Sequence, residues 1–171
     1  MTGVQTCALP IYRHQGAALL DVTAYLVRHA KAGSRERWTR PDHERPLTDA
    51  GWRQAEGLVQ LLDTSAIRRV LSSPYVRCVQ TVEPLARACG VRVETDDRLV
   101  EGADPDEALQ LMADSAGAVF CSHGDIIAGV ILGANEHGAH LAPGIAWSKG
   151  STWALQLRAG AIVSGRYIPP P

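Results

Sequence analysis

Nothing in this 171-residue chain approaches the run of about 20 apolar residues that a membrane-crossing helix requires, so no membrane partner is expected. Neither sign of charge is in excess: 17 Lys and Arg face 18 Asp and Glu, a formal net charge of −1. That balance argues against a general nucleic-acid binder and leaves room only for a small basic pocket. Cysteines are few and scattered. Cys7, Cys78, Cys89 and Cys121 form no C-x-x-C pair, which points to reduced thiols in the cytoplasm rather than a disulfide framework. Neither G-x-G-x-x-G nor G-x-x-x-x-G-K-[ST] follows a strand pattern, so a dinucleotide fold and a P-loop are both unsupported. The amino terminus lacks the basic segment and cleavage site of a signal peptide.

What is present is an ordinary globular composition, 46% hydrophobic and 20% charged, in a length that suits one domain. A chain of this size buries roughly 70% of its unfolded-state surface, enough for a core without metal or disulfide staples. Residues 1–22 stand apart, with no sustained periodicity. Thr2–Ile11 (TGVQTCALPI) is similar to the peptide obtained when sequencing-adapter DNA is translated. Residues 1–22 are therefore expected to be an extension, non-native or disordered in part, ahead of a domain at 23–171.

From Thr23 the pattern becomes regular. Thr23–Arg28 is a short, mostly apolar run that reads as a buried strand. Ala32–Pro46 is polar and contains Gly33, Pro41 and Pro46, so it reads as a loop. Thr48 can cap a helix running to about Leu62, on which Trp52, Ala55, Leu58, Val59 and Leu62 recur at helical spacing. Val70–Ser72 is a second strand, Tyr75–Cys89 a second helix and Val91–Glu94 a third strand. Asp104-Pro105-Asp106-Glu107 supplies an N-cap, a first-turn proline and an acidic first turn for a third helix. Ala118–Ser122 is a fourth strand, followed by a helix over Asp125–Leu132 and a loop over 133–149. Ser151–Arg158 alternates, and Ala159-Gly160 turns it into Ala161–Ile168 as an edge hairpin. This alternation predicts a three-layer α/β/α sandwich, with a mainly parallel central sheet and an antiparallel edge hairpin. Ligands in such sheets lie beyond the carboxyl ends of the strands.

Three strands lead into groups suited to one task. The first ends in Arg28-His29-Ala30, the second runs through Ser72-Ser73-Pro74 to Arg77, and the fourth ends in Ser122-His123-Gly124. A lone histidine is usually a satisfied core or loop residue. Two histidines and two arginines at one sheet edge would repel each other at a cost on the order of several kcal/mol unless an anion neutralises them. Phosphate matches planar arginine forks and imidazole donors best. A neutral imidazole among arginines is also a nucleophile that needs no metal, and a carbonyl on its other nitrogen would fix the tautomer. The leaving oxygen needs a proton, for which Glu101, after the third strand, is the candidate. Its plainer role is a solvated loop carboxylate, and starting the third helix already explains Asp104 and Asp106.

These residues carry a family resemblance. Leu26-Val27-Arg28-His29-Ala30, Arg45-Pro46-Leu47-Thr48-x-x-Gly51-x-x-Gln54-Ala55, Ser72-Ser73-Pro74-x-x-Arg77-x-x-Gln80-Thr81 and Ser122-His123-Gly124 stand in order, and together the chain resembles the histidine phosphatase superfamily from Ala24 to Ile168. The short chain is most similar to the small phosphohistidine-phosphatase branch. Lys149-Gly150-Ser151-Thr152-Trp153 is also similar to the phosphatase domain fused behind Nudix hydrolases in actinobacteria. The resemblance implies that His29 is phosphorylated during turnover, that Arg28, Arg77 and His123 bind phosphate, with His123 also catalytic, and that Glu101 donates the proton. It implies a metal-independent enzyme with no cofactor, acting on a phosphorylated small molecule or a phosphoprotein. Ala30 departs from the family's usual glycine, and its methyl is expected to crowd the phosphate.

Other readings stay open. A mutase would need a closed pocket. A non-catalytic phosphate-binding module would keep the cationic cluster without turnover, and the domain could be the carboxy-terminal part of a Nudix-type nucleotide-processing protein. Arg35, Arg37, Trp38, Arg40 and His43 form either a basic rim facing the substrate or a solvated surface loop. His137 and His140 lack a third ligand for a metal.

Overall fold

The computed structural model describes residues 21–115, 117–141 and 146–171. The expectation for residues 1–22 falls almost wholly outside them; of that segment only Asp21 and Val22 are described, and Val22 opens the first strand. In chain order the elements are β1 Val22–Arg28, α1 Asp49–Leu61, β2 Val70–Ser72, α2 Val76–Ala88, β3 Val93–Thr95, α3 Pro105–Asp114, β4 Val119–Ser122, α4 Gly124–Glu136, β5 His140–Leu141, β6 Thr152–Arg158 and β7 Ala161–Ile168. The sheet order is β3-β2-β4-β1-β6-β7-β5. From β3 to β1 all pairs are parallel, while β6 runs antiparallel to both β1 and β7.

Side chains alternate across the sheet with the strand period of two, and the two sets make separate cores. Ala24, Leu26, Leu71, Phe120, Trp153 and Leu155 pack with Leu111 and Met112 of α3 and Ile127 and Val130 of α4. Val27, Val70, Val119 and Cys121 point the other way, onto Leu58 of α1 and Val82 and Leu85 of α2. Helices thus cover both faces, giving the expected three layers. β1 and β4 are covered on both sides, which is why Ala24–Val27 and Val119–Cys121 read as apolar runs rather than alternating patterns.

Helix ends follow local chemistry. The Asp104 carboxylate accepts from the Asp106 amide at 3.0 Å and Pro105 is the first residue of α3. α2 closes in a Schellman turn: Gly90 takes φ 69°, its amide donates to Arg87 O, and the Val91 amide donates to Ala86 O. Val91 is spent on that turn, so β3 starts at Val93 rather than Val91. Two further expectations are corrected. The β6–β7 hairpin is not the sheet edge, because the two-residue β5 pairs outside β7. Leu141 of β5 packs where Gly165 has no side chain, its Cδ2 being 3.0 Å from a Cβ built there, and two residues leave no periodicity to read. α4 also runs to Glu136 instead of Leu132, since buried Ala134 continues the face of Ile127, Val130 and Ile131.

The start of α1 is locked to the segment that leaves β1. Thr48 Oγ1 accepts from the Gly51 amide at 3.2 Å and donates to Lys31 O at 3.1 Å. A Cβ at Gly51 would lie 2.0 Å from that same carbonyl oxygen. Gly51→Ala should therefore cost about 2–3 kcal/mol through overpacking against backbone. Urea denaturation measures it, and an unchanged midpoint would contradict this packing.

Candidate active site

The carboxyl ends of β1, β4 and β2 lie side by side because the three strands are parallel neighbours. His29 leaves β1 with its amide on Ser122 O at 3.0 Å, and Ser73 leaves β2 with its amide on Cys121 O at 2.9 Å. These bonds hold the three segments in register just past the sheet. His29, His123, Arg77 and Arg28 are delivered there together.

The His29 ring is buried. Its Nδ1 lies 2.8 Å from Ala30 O; a carbonyl only accepts, so Nδ1 carries the proton and Nε2 keeps its lone pair. Burial is the main force holding its pKa down, to about 3. The Ala30 carbonyl works against this, and the charges of Arg77, His123 and Arg28 add to the depression. At neutral pH the ring is uncharged. The His123 ring sits 5.4 Å away centroid to centroid, edge-on at 62°. Its Nδ1 is 3.4 Å from an Arg77 nitrogen, which can only donate, so His123 holds its proton on Nε2, 3.0 Å from Ser73 Oγ. The two imidazoles are thus fixed in opposite tautomers by groups that cannot exchange roles.

Arg77, in the first turn of α2, has no exposed surface. One terminal nitrogen, Nη1, donates to Asp42 O at 2.9 Å and pairs with Asp42 Oδ2 at 3.0 Å; the other, Nη2, donates to Glu101 Oε2 at 3.1 Å. Its guanidinium lies 4.7 Å from the centre of the Tyr75 ring, which also packs edge-on against His123. Arg28 is half-buried, donates to Trp147 O at 2.5 Å, and lies against Gly124, where a Cβ would come within 3.0 Å of the guanidinium carbon. The glycine of Ser122-His123-Gly124 is thus the space that Arg28 occupies. Among the described residues the Nε atoms of Arg28 and Arg77 are buried without a partner. Such orphaned donors are costly, and an oxyanion is the group that would satisfy them. The cluster can hold a phosphoryl group and offers it one neutral ring nitrogen.

Three kinds of comparison bear on this arrangement. The model of the histidine phosphatase superfamily (branch 1) matches residues 24–104. The solved structure of phosphohistidine phosphatase SixA from Nakamurella multipartitia, 26% identical, superposes with a TM-score of 0.66 over 88% of this chain and 96% of that one.

The chain belongs to the histidine phosphatase superfamily.

A SixA structure in complex with tungstate has a TM-score of 0.65 over 86% of this chain and 95% of that one; at 18% identity the likeness is one of fold. The 8-oxo-(d)GTP phosphatase of Mycolicibacterium smegmatis is 35% identical over 156 residues, which are 87% of this chain and 48% of that protein. This histidine phosphatase chain therefore spans about half the length of that relative.

All five residues singled out from the sequence, Arg28, His29, Arg77, Glu101 and His123, lie in or against the cluster. Glu101 meets Arg77 and, at 2.6 Å, Arg35. Sequence reasoning missed Asp42, which lies in a one-turn 3-10 helix, Asp42–Glu44, inside the segment read as plain loop. It touches Arg77, Arg45 and Arg35. Partial burial opposes ionisation, but the Arg45 hydrogen bond and the three guanidinium charges draw its pKa to about 2. The signal available was a carboxylate three residues before Arg45 in a proline-bounded, arginine-rich loop. Ser73 and Tyr75 were also missed as partners of His123.

The rim loop divides. Arg35 turns into the site, whereas Trp38 donates to Pro41 O and Arg40 pairs with Glu44. Ala30 corrects the crowding expectation: it is buried in a small cluster with Leu47 and Ala55, and its amide donates to Thr81 Oγ1 at 2.9 Å. His137 closes α4 with Nδ1 on Gly133 O. Cys78, Cys89 and Cys121 are free thiols, and Cys78 Sγ lies 3.5 Å from His123 Nε2.

The depressed pKa of His29 has a stability consequence. Unfolded, the ring titrates near 6.5; folded, near 3. Between those values the unfolded state binds the extra proton, so stability is full above about pH 6.5 and falls as pH drops towards 3. From pH 7 to pH 5 this one group should remove about 2 kcal/mol. Urea unfolding at both pH values should show that loss in the wild type and a correspondingly flatter response in His29→Ala. Parallel responses would refute the assignment.

Proposed function

We propose that the chain is a phosphatase that needs no metal ion and hydrolyses phosphomonoesters or phosphohistidine through a covalent phosphohistidine on His29. The observation that carries this reading is the tautomer of His29: Nδ1 is committed to Ala30 O, and Nε2 keeps its lone pair within a ring of Arg28, Arg77 and His123.

In the first step His29 Nε2 attacks phosphorus in line with the leaving group, the new P–N bond forms and the P–O bond breaks. Arg28 and Arg77 donate to the equatorial oxygens, where charge accumulates in the transition state, and His123 joins them as a donor once the phosphate draws Arg77 off its Nδ1 and the ring proton shifts to that nitrogen. Arg77 is held by the Glu101 carboxylate before substrate arrives; a phosphate monoanion that takes over the guanidinium passes its own proton to the freed Glu101, which delivers it to the leaving oxygen. In the second step Glu101 takes a proton from water, the hydroxide oxygen attacks phosphorus and the P–N bond breaks. Glu101 returns that proton to the departing phosphate, and neutral His29 and the Glu101 carboxylate are restored. With phosphohistidine as substrate the leaving atom is nitrogen and the steps are otherwise the same.

Nucleotides are a second substrate reading, favoured by the likeness to the mycobacterial 8-oxo-(d)GTP phosphatase. A panel of phosphohistidine protein, nucleotides and sugar phosphates, each with and without chelator, decides between the readings. Activity that a chelator abolishes would refute the metal-free route.

His29→Ala should abolish turnover, and full activity in it would refute the mechanism. Arg77→Ala should lower kcat by about two to three decades, as loss of a transition-state donor does. Glu101→Gln should slow esters with poor leaving groups more than nitrophenyl phosphate, whose leaving oxygen needs little protonation; equal losses would point to another acid.

A further inference from the structure

We infer that the cavity beside the phosphate cluster, lined by Arg28, Arg35, Arg45 and Lys149, is a second anion subsite that holds a further negatively charged group borne by the substrate. The inference rests on the phosphatase reading above, because Arg28 and Glu101 wall both the cluster and this cavity. The cavity has a volume of about 320 Å³ and also borders Ala32, Gly33 and Ser34, enough room for a second tetrahedral or planar anion but not for a macromolecular surface.

Four cations and one carboxylate, Glu101, line the cavity; Glu101 is shared between Arg35 and Arg77, and Asp42, behind the lining, pairs with Arg35 and Arg45, which leaves Arg28 and Lys149 without a carboxylate partner among the described residues. Arg28, Arg35 and Arg45 are held by side-chain partners, whereas Lys149 is exposed and is positioned through its backbone alone. Arg45 is 4% exposed, and its fork is set by Asp42 Oδ1 at 2.9 Å and Gly33 O at 2.7 Å. Lys149 is placed through its backbone. Gln54 Nε2 donates to Lys149 O at 3.1 Å, and the next amide, of Gly150, donates to the carbonyls of both Arg28 and His29. Gly150 has φ 83°, and a Cβ there would press on the Gln54 amide at 2.9 Å. The turn that carries Lys149 is thus built onto the strand end that carries His29.

Among the described residues the Lys149 ammonium has no carboxylate partner. Partial burial, and after it the charges of Arg28, Arg45, Arg77 and Arg35, push its pKa down. Arg28 adds a buried Nε without a partner. A phosphoryl or carboxylate group next to the scissile phosphate would pair with Lys149 and Arg28 together, and charge-assisted bonds of that kind are the strong ones. An uncharged substituent would gain nothing there.

Titration calorimetry of the whole chain with inorganic phosphate and with pyrophosphate tests this. The wild type should bind pyrophosphate about tenfold or more tightly than phosphate. Lys149→Ala should lose most of that preference, and Lys149→Arg should keep it. Arg37→Ala, an exposed cation in the same loop but outside the cavity, should also keep it, which separates a local site from diffuse positive charge. Equal affinity of the wild type for the two anions, a preference that survives Lys149→Ala, or an equal loss in Arg37→Ala would overturn the subsite. Binding is read without turnover, so the two proposals fail separately. A protein that shows the preference but hydrolyses no ester keeps the subsite and loses the phosphatase; one that hydrolyses esters without the preference does the reverse.

Discussion

Arg77 places a full positive charge where no water reaches it, and a buried ion costs on the order of several kcal/mol unless its partners are well placed. The surrounding structure supplies them. Asp42 and Glu101 reach it from two loops far apart in sequence, and Tyr75 covers its face. Its own backbone carbonyl accepts from Thr81 Oγ1, which in turn receives the Ala30 amide. The guanidinium therefore fixes the turn after β2, the loop after β1 and the segment after β3, while the backbone carbonyl of the same residue, through Thr81 and Ala30, sets the position of His29. A neutral residue at this position would remove the reason for several of these contacts at once.

Electrostatics at the cluster are organised by exclusion. His29 is kept uncharged chiefly by burial, and the nearby cations reinforce that state. His123 stays within reach of Arg77 because its facing nitrogen is an acceptor. One carbonyl and one guanidinium, Ala30 O and Arg77, suffice to choose both tautomers, because the first only accepts and the second only donates. A neutral imidazole and a set of donors can then occupy one small volume.

The loop between β1 and α1 has two roles. Its inner side, with Asp42 and Arg45, belongs to the scaffold of the site, and its outer side, with Trp38 and Arg40, is tied to its own turns. Arg35 lies between, bonded to Glu101 and Asp42, so whatever binds beyond the phosphate meets a charged wall rather than an apolar one.

Much was legible in the sequence because the relevant signals are local. The apolar runs of β1 and β4, the Thr48 and Asp104 caps, and the Ala159-Gly160 turn each depend on a few adjacent residues. Arg28, His29, Arg77 and His123 could be named because strand ends in a parallel sheet share one edge. The sheet edge at β5, the last turn of α4 and the roles of Asp42, Ser73 and Lys149 were not legible. Two residues carry no period, and a carboxylate or lysine in a polar loop looks the same whether it faces water or a buried guanidinium. Order along the chain determined which groups could meet. Only the tertiary structure decided which carboxylates neutralise which cations, because that depends on distances of a few ångströms between segments that the sequence leaves dozens of residues apart.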